Sequence, residues 1–129
     1  MLRVIAAAVL GSRGLLLVSK RAAPDVSYLP GGKPDRGEAS LECLRRELCE
    51  ELGVGIAGTR HFAEVRARAA LEGGEMWMSV FLTRLTGVPA PAAEIAALGW
   101  WPHDRALSLA PPVRDCVIPS LSEAGLFTV

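Results

Sequence analysis

The stretch Gly31–Val54, reading GGKPDRGEASLECLRRELCEELGV, constrains this chain more than any other. Two glycines open it, a helix-forming run follows, and Gly53 supplies the usual stop. On a helix of 3.6 residues per turn each residue advances about 100°. With Glu47 at zero, Glu50 falls at about 300° and Glu51 at about 40°, so the three carboxylates share roughly 100° of surface. Leu41, Leu44, Leu48 and Leu52 fall between about 60° and 140°, an apolar stripe beside the acids. The spacing predicts a helix over 39–52 that gives its leucines to a core and its glutamates to something else.

Like charges three and four residues apart destabilise a helix. Two carboxylates about 6 Å apart repel by roughly 1–3 kcal/mol, depending on how wet the site is. A hard divalent cation turns that repulsion into attraction, and magnesium prefers carboxylate oxygens and water. The plainer alternative is a solvated acidic face in which Arg46 and Glu50 pair at i,i+4.

The flanking residues bear on that choice. Gly32, five residues, Glu38, seven residues, then Arg46-Glu47-Leu48, one residue, Glu50-Glu51, one residue, Gly53-Val54: these are the fixed positions of the Nudix box. The chain resembles a small MutT-like Nudix hydrolase. The box spans 23 of the 129 residues; the resemblance of the surrounding strand pattern is less specific. It implies an α/β fold, the Nudix α/β/α sandwich, with a mixed sheet and the box as a loop–helix–loop on one side.

Length and composition agree with one soluble domain over 1–129. The formal charge is zero, with 14 basic and 14 acidic residues, so there is no basic surplus for bulk nucleic acid. A nucleotide-sized substrate needs only local charge. Cys43, Cys49 and Cys116 form no CxxC pair and read as reduced thiols of a cytoplasmic protein rather than a zinc site. No apolar run reaches the length of a membrane helix. GxxxxGK[ST] is absent, so phosphate handling by a P-loop is excluded. His61 and His103 stand in no metal spacing and read as structural or surface residues.

Taken in order, residues 3–10 and 14–20 are apolar runs around Gly11-Ser12-Arg13-Gly14. They read as a β-hairpin covered on both faces rather than as a short signal peptide. A polar loop is expected over 22–27. Pro30 holds Leu29 extended, and the glycines after it allow backbone angles closed to other residues. Strands are expected over 56–69 and 75–86, with a turn at Glu72-Gly73-Gly74. In the second strand Met76, Met78, Val80 and Leu82 share one face and Trp77, Ser79 and Phe81 the other. Either face offers a shelf for a base, although a core role is the commoner one. A Pro/Ala/Gly loop follows over 86–93, then Glu94 and a strand carrying Trp100 and Trp101. A final amphipathic helix is expected over 113–125, after Pro111-Pro112. Leu109, Asp115 and the loop around Pro111 are placed near a base pocket.

The resemblance implies the following roles. Glu47, Glu50 and Glu51, with the Gly31 carbonyl, hold Mg2+, for which Mn2+ can substitute, and Glu51 is the principal ligand. Glu47 or Glu94 is the general base, Glu94 lying on what resembles the family's mobile loop. Arg46 belongs to the catalytic set as a residue that orients a glutamate. Lys20, Arg21 and Lys33 lie near the substrate phosphates; a solvated strand end remains the alternative for the first two. Gly32, Glu38 and Gly53 support. The implied reaction is hydrolysis of a phosphoanhydride in a nucleoside diphosphate linked to X. A nucleoside triphosphate, oxidised or not, giving the monophosphate and pyrophosphate, leads. ADP-ribose, dinucleotide polyphosphates and nucleotide sugars are the alternatives, followed by a non-catalytic nucleotide-binding module. The isomerase branch of the fold lacks its histidine and cysteine constellation here. Small-molecule nucleotides are the expected partners, with no membrane, in a monomer or homodimer.

Overall fold

A computed structural model describes residues 1–68 and 74–128. Its organising element is α1 (Ser40–Leu52), laid against two sheets. The first sheet has the order β5 (Gly31–Gly32), β1 (Leu2–Ala8), β7 (Glu75–Leu85), β6 (Ile56–Arg68). It is mixed: β1 runs parallel to β7, and the other pairs are antiparallel. In the second sheet β3 (Gly14–Lys20) pairs antiparallel with β2 (Leu10–Gly11), β4 (Ala23–Tyr28) and β8 (Ile95–Pro102).

The two-face reading of the first apolar runs holds. In β1, Ile5 and Ala7 turn toward α1, while Ala6 and Ala8 turn to the opposite layer. In β3, Leu16 and Val18 face α1, and Leu15 and Leu17 face away. Strand alternation therefore feeds two cores from the same short runs. One core holds Cys43, Leu44, Leu48 and Leu52 of α1. The other is closed by Val113, Val117, Ile118 and Leu121. The result is the expected α/β/α layering.

Some local expectations need correction. The first two runs do not form one hairpin. β1 pairs in parallel with β7 in its own sheet, and only Leu10–Gly11 turns back on β3. Apolar runs on both faces do not specify a partner, and the parallel pairing with a distant strand wins. The polar segment 23–28 is a strand, not a loop. Its Pro24 is tolerated because β4 lies at an edge, where a missing N–H leaves no ladder bond broken. Leu41, counted in the apolar stripe, is exposed. The closing helix opens with a wide turn, Val113–Val117, in which the Ile118 N–H reaches the Val113 carbonyl, before α2 (Ile118–Glu123). Pro119 has no N–H to give to the preceding turn, so the regular i→i−4 ladder cannot run through it.

Helix α1 matches its expected bounds. The Glu42 carboxylate accepts the Ala39 N–H, half of a capping box. Gly53 ends the helix in the left-handed conformation, φ 68°. Of the turn at 72–74, only Gly74, φ 68°, lies within the described residues. The end of the strand expected to reach 69 also lies outside them; β6 is described to Arg68.

The α1 packing yields a stability contrast. Leu48→Ala, at a fully buried site, is expected to lower the unfolding free energy by about 2–5 kcal/mol in urea titrations. Leu41→Ala should stay within about 0.5 kcal/mol.

Candidate active site

The acidic side of α1 meets the β5 glycines and the loop before β8. Glu47, Glu51 and Glu94 each offer a carboxylate oxygen, and these oxygens lie within 4.8 Å of one another. Fully ionised, each pair at that distance would repel by about 3 kcal/mol at an effective dielectric constant of about 20. Something positive must offset that, either protons or a cation.

Glu51 is the most deeply placed of the three, with 1% of its surface exposed. Its Oε1 accepts the Gly31 N–H at 3.0 Å. Its Oε2 is buried with no hydrogen-bond partner. Burial pushes its carboxyl up to about 8; the Gly31 amide pulls the other way and the Glu47 charge adds to the rise. A buried carboxylate oxygen without a partner is costly. A hard cation among three carboxylates is what this donor set suits, and the residues fit one.

Glu47 is nearly as buried, and burial raises its carboxyl too, against the pull of Arg46. Arg46 is the hub on this side. Its guanidinium donates to both Glu38 oxygens at 2.8 and 2.9 Å, to Glu47 Oε1 at 2.9 Å, to Glu50 at 3.5 Å and to the Lys33 carbonyl at 3.1 Å. The Arg46 guanidinium, helped by the Asp35 amide, holds the Glu38 carboxyl down at about 2. The i,i+4 pair of the plainer reading therefore exists, but as one arm of a network that aims Glu47. Glu50 is outside the three-carboxylate cluster and half exposed, although its charge still raises Glu47.

The two glycines do different jobs. Gly31 sits at φ 148°, and a Cβ there would lie 2.1 Å from the Ile5 carbonyl. It meets Glu51 through its amide. At Gly32 a Cβ would stand 2.4 Å from the Glu47 carboxyl carbon. This glycine is needed for close approach rather than for its backbone angle.

Glu94 arrives on a loop that is tied down. The Ala90 and Ala92 N–H groups donate to the Leu52 and Glu51 backbone carbonyls at 3.1 and 3.0 Å. These are among the carbonyls that the end of α1 leaves without partners. Ala93, just before Glu94, has φ 52°, a conformation that costs a non-glycine residue about 1–3 kcal/mol.

Glu47 and Glu94 line a cavity of about 470 Å³. Lys20, Lys33 and Asp35 line it with them, and Leu2, Val4, Met76, Met78, Ala110 and Val113 give its wall an apolar part. Of the two faces of β7, the methionine face lines the cavity. Arg21, the neighbour of Lys20, is not on its wall. Leu109, Pro111 and Asp115 border another hollow instead; Tyr28 and Pro112 line both. The Tyr28 hydroxyl is buried without a partner. His61 pairs with Glu64 away from the site. The cysteines are free, and burial pushes the Cys43 thiol up to about 11. Among the described residues no helix is long and apolar enough to cross a membrane.

Sequence reasoning passed over Leu2, Val4, Tyr28, Ala110 and Val113. Topology alone brings the start of β1 beside the segment before α2. Tyr28 was visible only as the residue two before Pro30.

The family model of the NUDIX domain matches residues 1–121. A Mycobacterium tuberculosis protein named "Putative 8-oxo-dGTP diphosphatase 2" is 30% identical over 115 residues, covering 79% of this chain and 82% of that protein. A MutT NUDIX hydrolase from Burkholderia pseudomallei superposes with a TM-score of 0.72 at 27% identity, over 93% of this chain and 95% of the other. The E. coli ORF135 protein does so with a TM-score of 0.74 at 26% identity, over 96% and 92%.

The glycine contrast can be tested directly. Gly32→Ala should keep the fold but expel the Glu47 carboxylate from its place, visible as a changed Glu47 rotamer in a crystal structure. Gly37→Ala, where a Cβ meets nothing within 4 Å, should leave Glu47 where it is.

Proposed function

This chain belongs to the NUDIX family, and from that premise we propose that it is a divalent-cation-dependent hydrolase of nucleoside triphosphates, oxidised ones included. The observation that carries the reading is the Glu47–Glu51–Glu94 cluster, two of whose members, Glu47 and Glu94, line a cavity whose wall also holds two lysines and a set of apolar side chains. A nucleotide calls for both kinds of lining: charge for its phosphates and apolar side chains for the stacking faces of its base. The relative named for 8-oxo-dGTP supports the triphosphate class.

Glu47 and Glu51 are the residues that would hold Mg2+, or Mn2+ in its place, with the Gly31–Gly32 backbone beside them. When bound, the ion supplies charge neutralisation on the phosphate oxygens and orients the diphosphate. Glu50 adds negative field from the solvent side, and Arg46 fixes Glu47 against Glu38. Lys20 and Lys33 face the phosphates from the cavity wall and offset their charge. Glu94 is exposed and belongs to the same cluster, so it is assigned to take the proton of the attacking water. Water attacks one of the two phosphorus atoms of the α–β anhydride and its proton passes to Glu94; the bond from that phosphorus to the bridging oxygen breaks, and the oxygen leaves on the other product. From a nucleoside triphosphate the products are the monophosphate and pyrophosphate. The base lies against Met76, Met78, Leu2 and Val4, and the Tyr28 hydroxyl is the polar group available to it.

The test is a hydrolysis panel with Mg2+, read by product mass, holding canonical and oxidised nucleoside triphosphates, ADP-ribose, dinucleotide polyphosphates and nucleotide sugars. Turnover of triphosphates to monophosphate and pyrophosphate is expected, and silence across the panel with both Mg2+ and Mn2+ would leave a nucleotide-binding module. Glu51→Gln should fold normally and lose about a thousandfold or more in kcat, and Glu94→Gln should lose about tenfold or more. Wild-type turnover in the first would remove the cation assignment, and in the second the proton acceptor.

A further inference from the structure

We propose that Arg21 is a positioning residue for Glu94: its guanidinium grips the loop backbone and holds Ala93 in the conformation that delivers the Glu94 carboxylate to Glu47 and Glu51. The inference rests on the role assigned to Glu94 above.

The sequence pair Lys20-Arg21 invites one shared task, two cations at a strand end. The structure splits the pair. The ladders of β3 with both β4 and β8 shift register between Ser19 and Lys20, and such irregularities re-aim the side chains that follow. Lys20 lines the cavity and Arg21 does not. Instead the Arg21 Nε donates to the Ala93 carbonyl at 3.0 Å, and the Arg21 backbone N–H donates to the Glu94 carbonyl at 2.9 Å. Two successive loop carbonyls are thus held by one residue.

What they hold is strained. Ala93 is the one non-glycine with positive φ among the described residues, at 52°. Nothing in an alanine side chain favours that conformation, so the surroundings must impose it. On one side the Ala92 N–H is fixed to the Glu51 carbonyl. On the other the Ile95 N–H closes back on the Ala92 carbonyl at 3.0 Å, and Ile95 itself is fully buried. Between these anchors the chain must reverse; there the Arg21 backbone N–H holds the Glu94 carbonyl, and the Arg21 side chain is the group that holds the Ala93 carbonyl itself. Releasing it lets Ala93 relax to ordinary angles, and the Glu94 carboxylate, one residue on, swings away from the cluster.

Arg21 is exposed, so its replacement should not threaten the fold. The experiment has two readouts. The first is amide hydrogen exchange on the metal-free protein. Arg21→Ala is expected to speed exchange at Ala92, Ile95 and position 21 by about tenfold or more, with Leu17 unchanged. Unchanged exchange at those three amides would overturn the proposal. The second is a cycle of wild type, Arg21→Ala, Glu94→Gln and the double variant on 8-oxo-dGTP with Mg2+, or on the panel's best substrate. Arg21→Ala should lower kcat about fivefold or more with KM within about twofold, and should cost less than about twofold once Glu94 is Gln. A raised KM, or a loss that multiplies fully with that of Glu94→Gln, would make Arg21 a phosphate contact and overturn the proposal. If Glu94→Gln alone leaves turnover intact, the role given to Glu94 falls, and the exchange readout still decides whether Arg21 holds the loop.

Discussion

Three carboxylates held within 4.8 Å of one another, one of them buried with an unpartnered oxygen, are the constraint on which the rest of this structure depends. Left to themselves they would separate, because ionised neighbours at that distance repel by several kcal/mol in a partly buried site. Each is held by a different device. Glu51 is fixed by burial in α1 and by the Gly31 amide. Glu47 is fixed by Arg46, itself saturated by Glu38. Glu94 is fixed through its backbone, on a loop stitched to the last carbonyls of the helix. Protons or a cation among the three would offset that repulsion.

The cost is met by the layers around it. The four-carbon side chains of Leu44, Leu48 and Leu52 are fully buried against β1 and β3, and this packing keeps the acidic flank of α1 in place. The same two strands supply the opposite core on their other faces. The scaffold is therefore rigid where the carboxylates are anchored, as a preorganised electrostatic site requires.

Much of this was legible in the chain because it is local. The helix, its Gly53 stop, the leucine stripe and the glutamate arc all follow from spacing within one short stretch, and Glu94 stood out ahead of its tryptophan strand. What was not legible depends on distant pairing. The apolar run at the start could not announce that it pairs in parallel with Glu75–Leu85 rather than with its neighbour. The polar character of 22–27 argued for a loop, whereas 23–28 is a strand whose edge position makes Pro24 harmless. Gly32 looked like backbone freedom and is instead room for Glu47. The cavity wall joins Leu2 and Val4 to Ala110 and Val113, residues that no local pattern connects. Lys20 and Arg21 looked like one feature and face different partners.

The most direct measurement is the titration of Mn2+ into the protein, followed by the paramagnetic signal of the free ion, for wild type and Glu51→Gln. The account predicts saturable binding by wild type, displaced by Mg2+, and its loss in the variant while the fold is kept. Equal binding by both proteins would contradict it, because the buried Glu51 oxygen would then have no cation to meet.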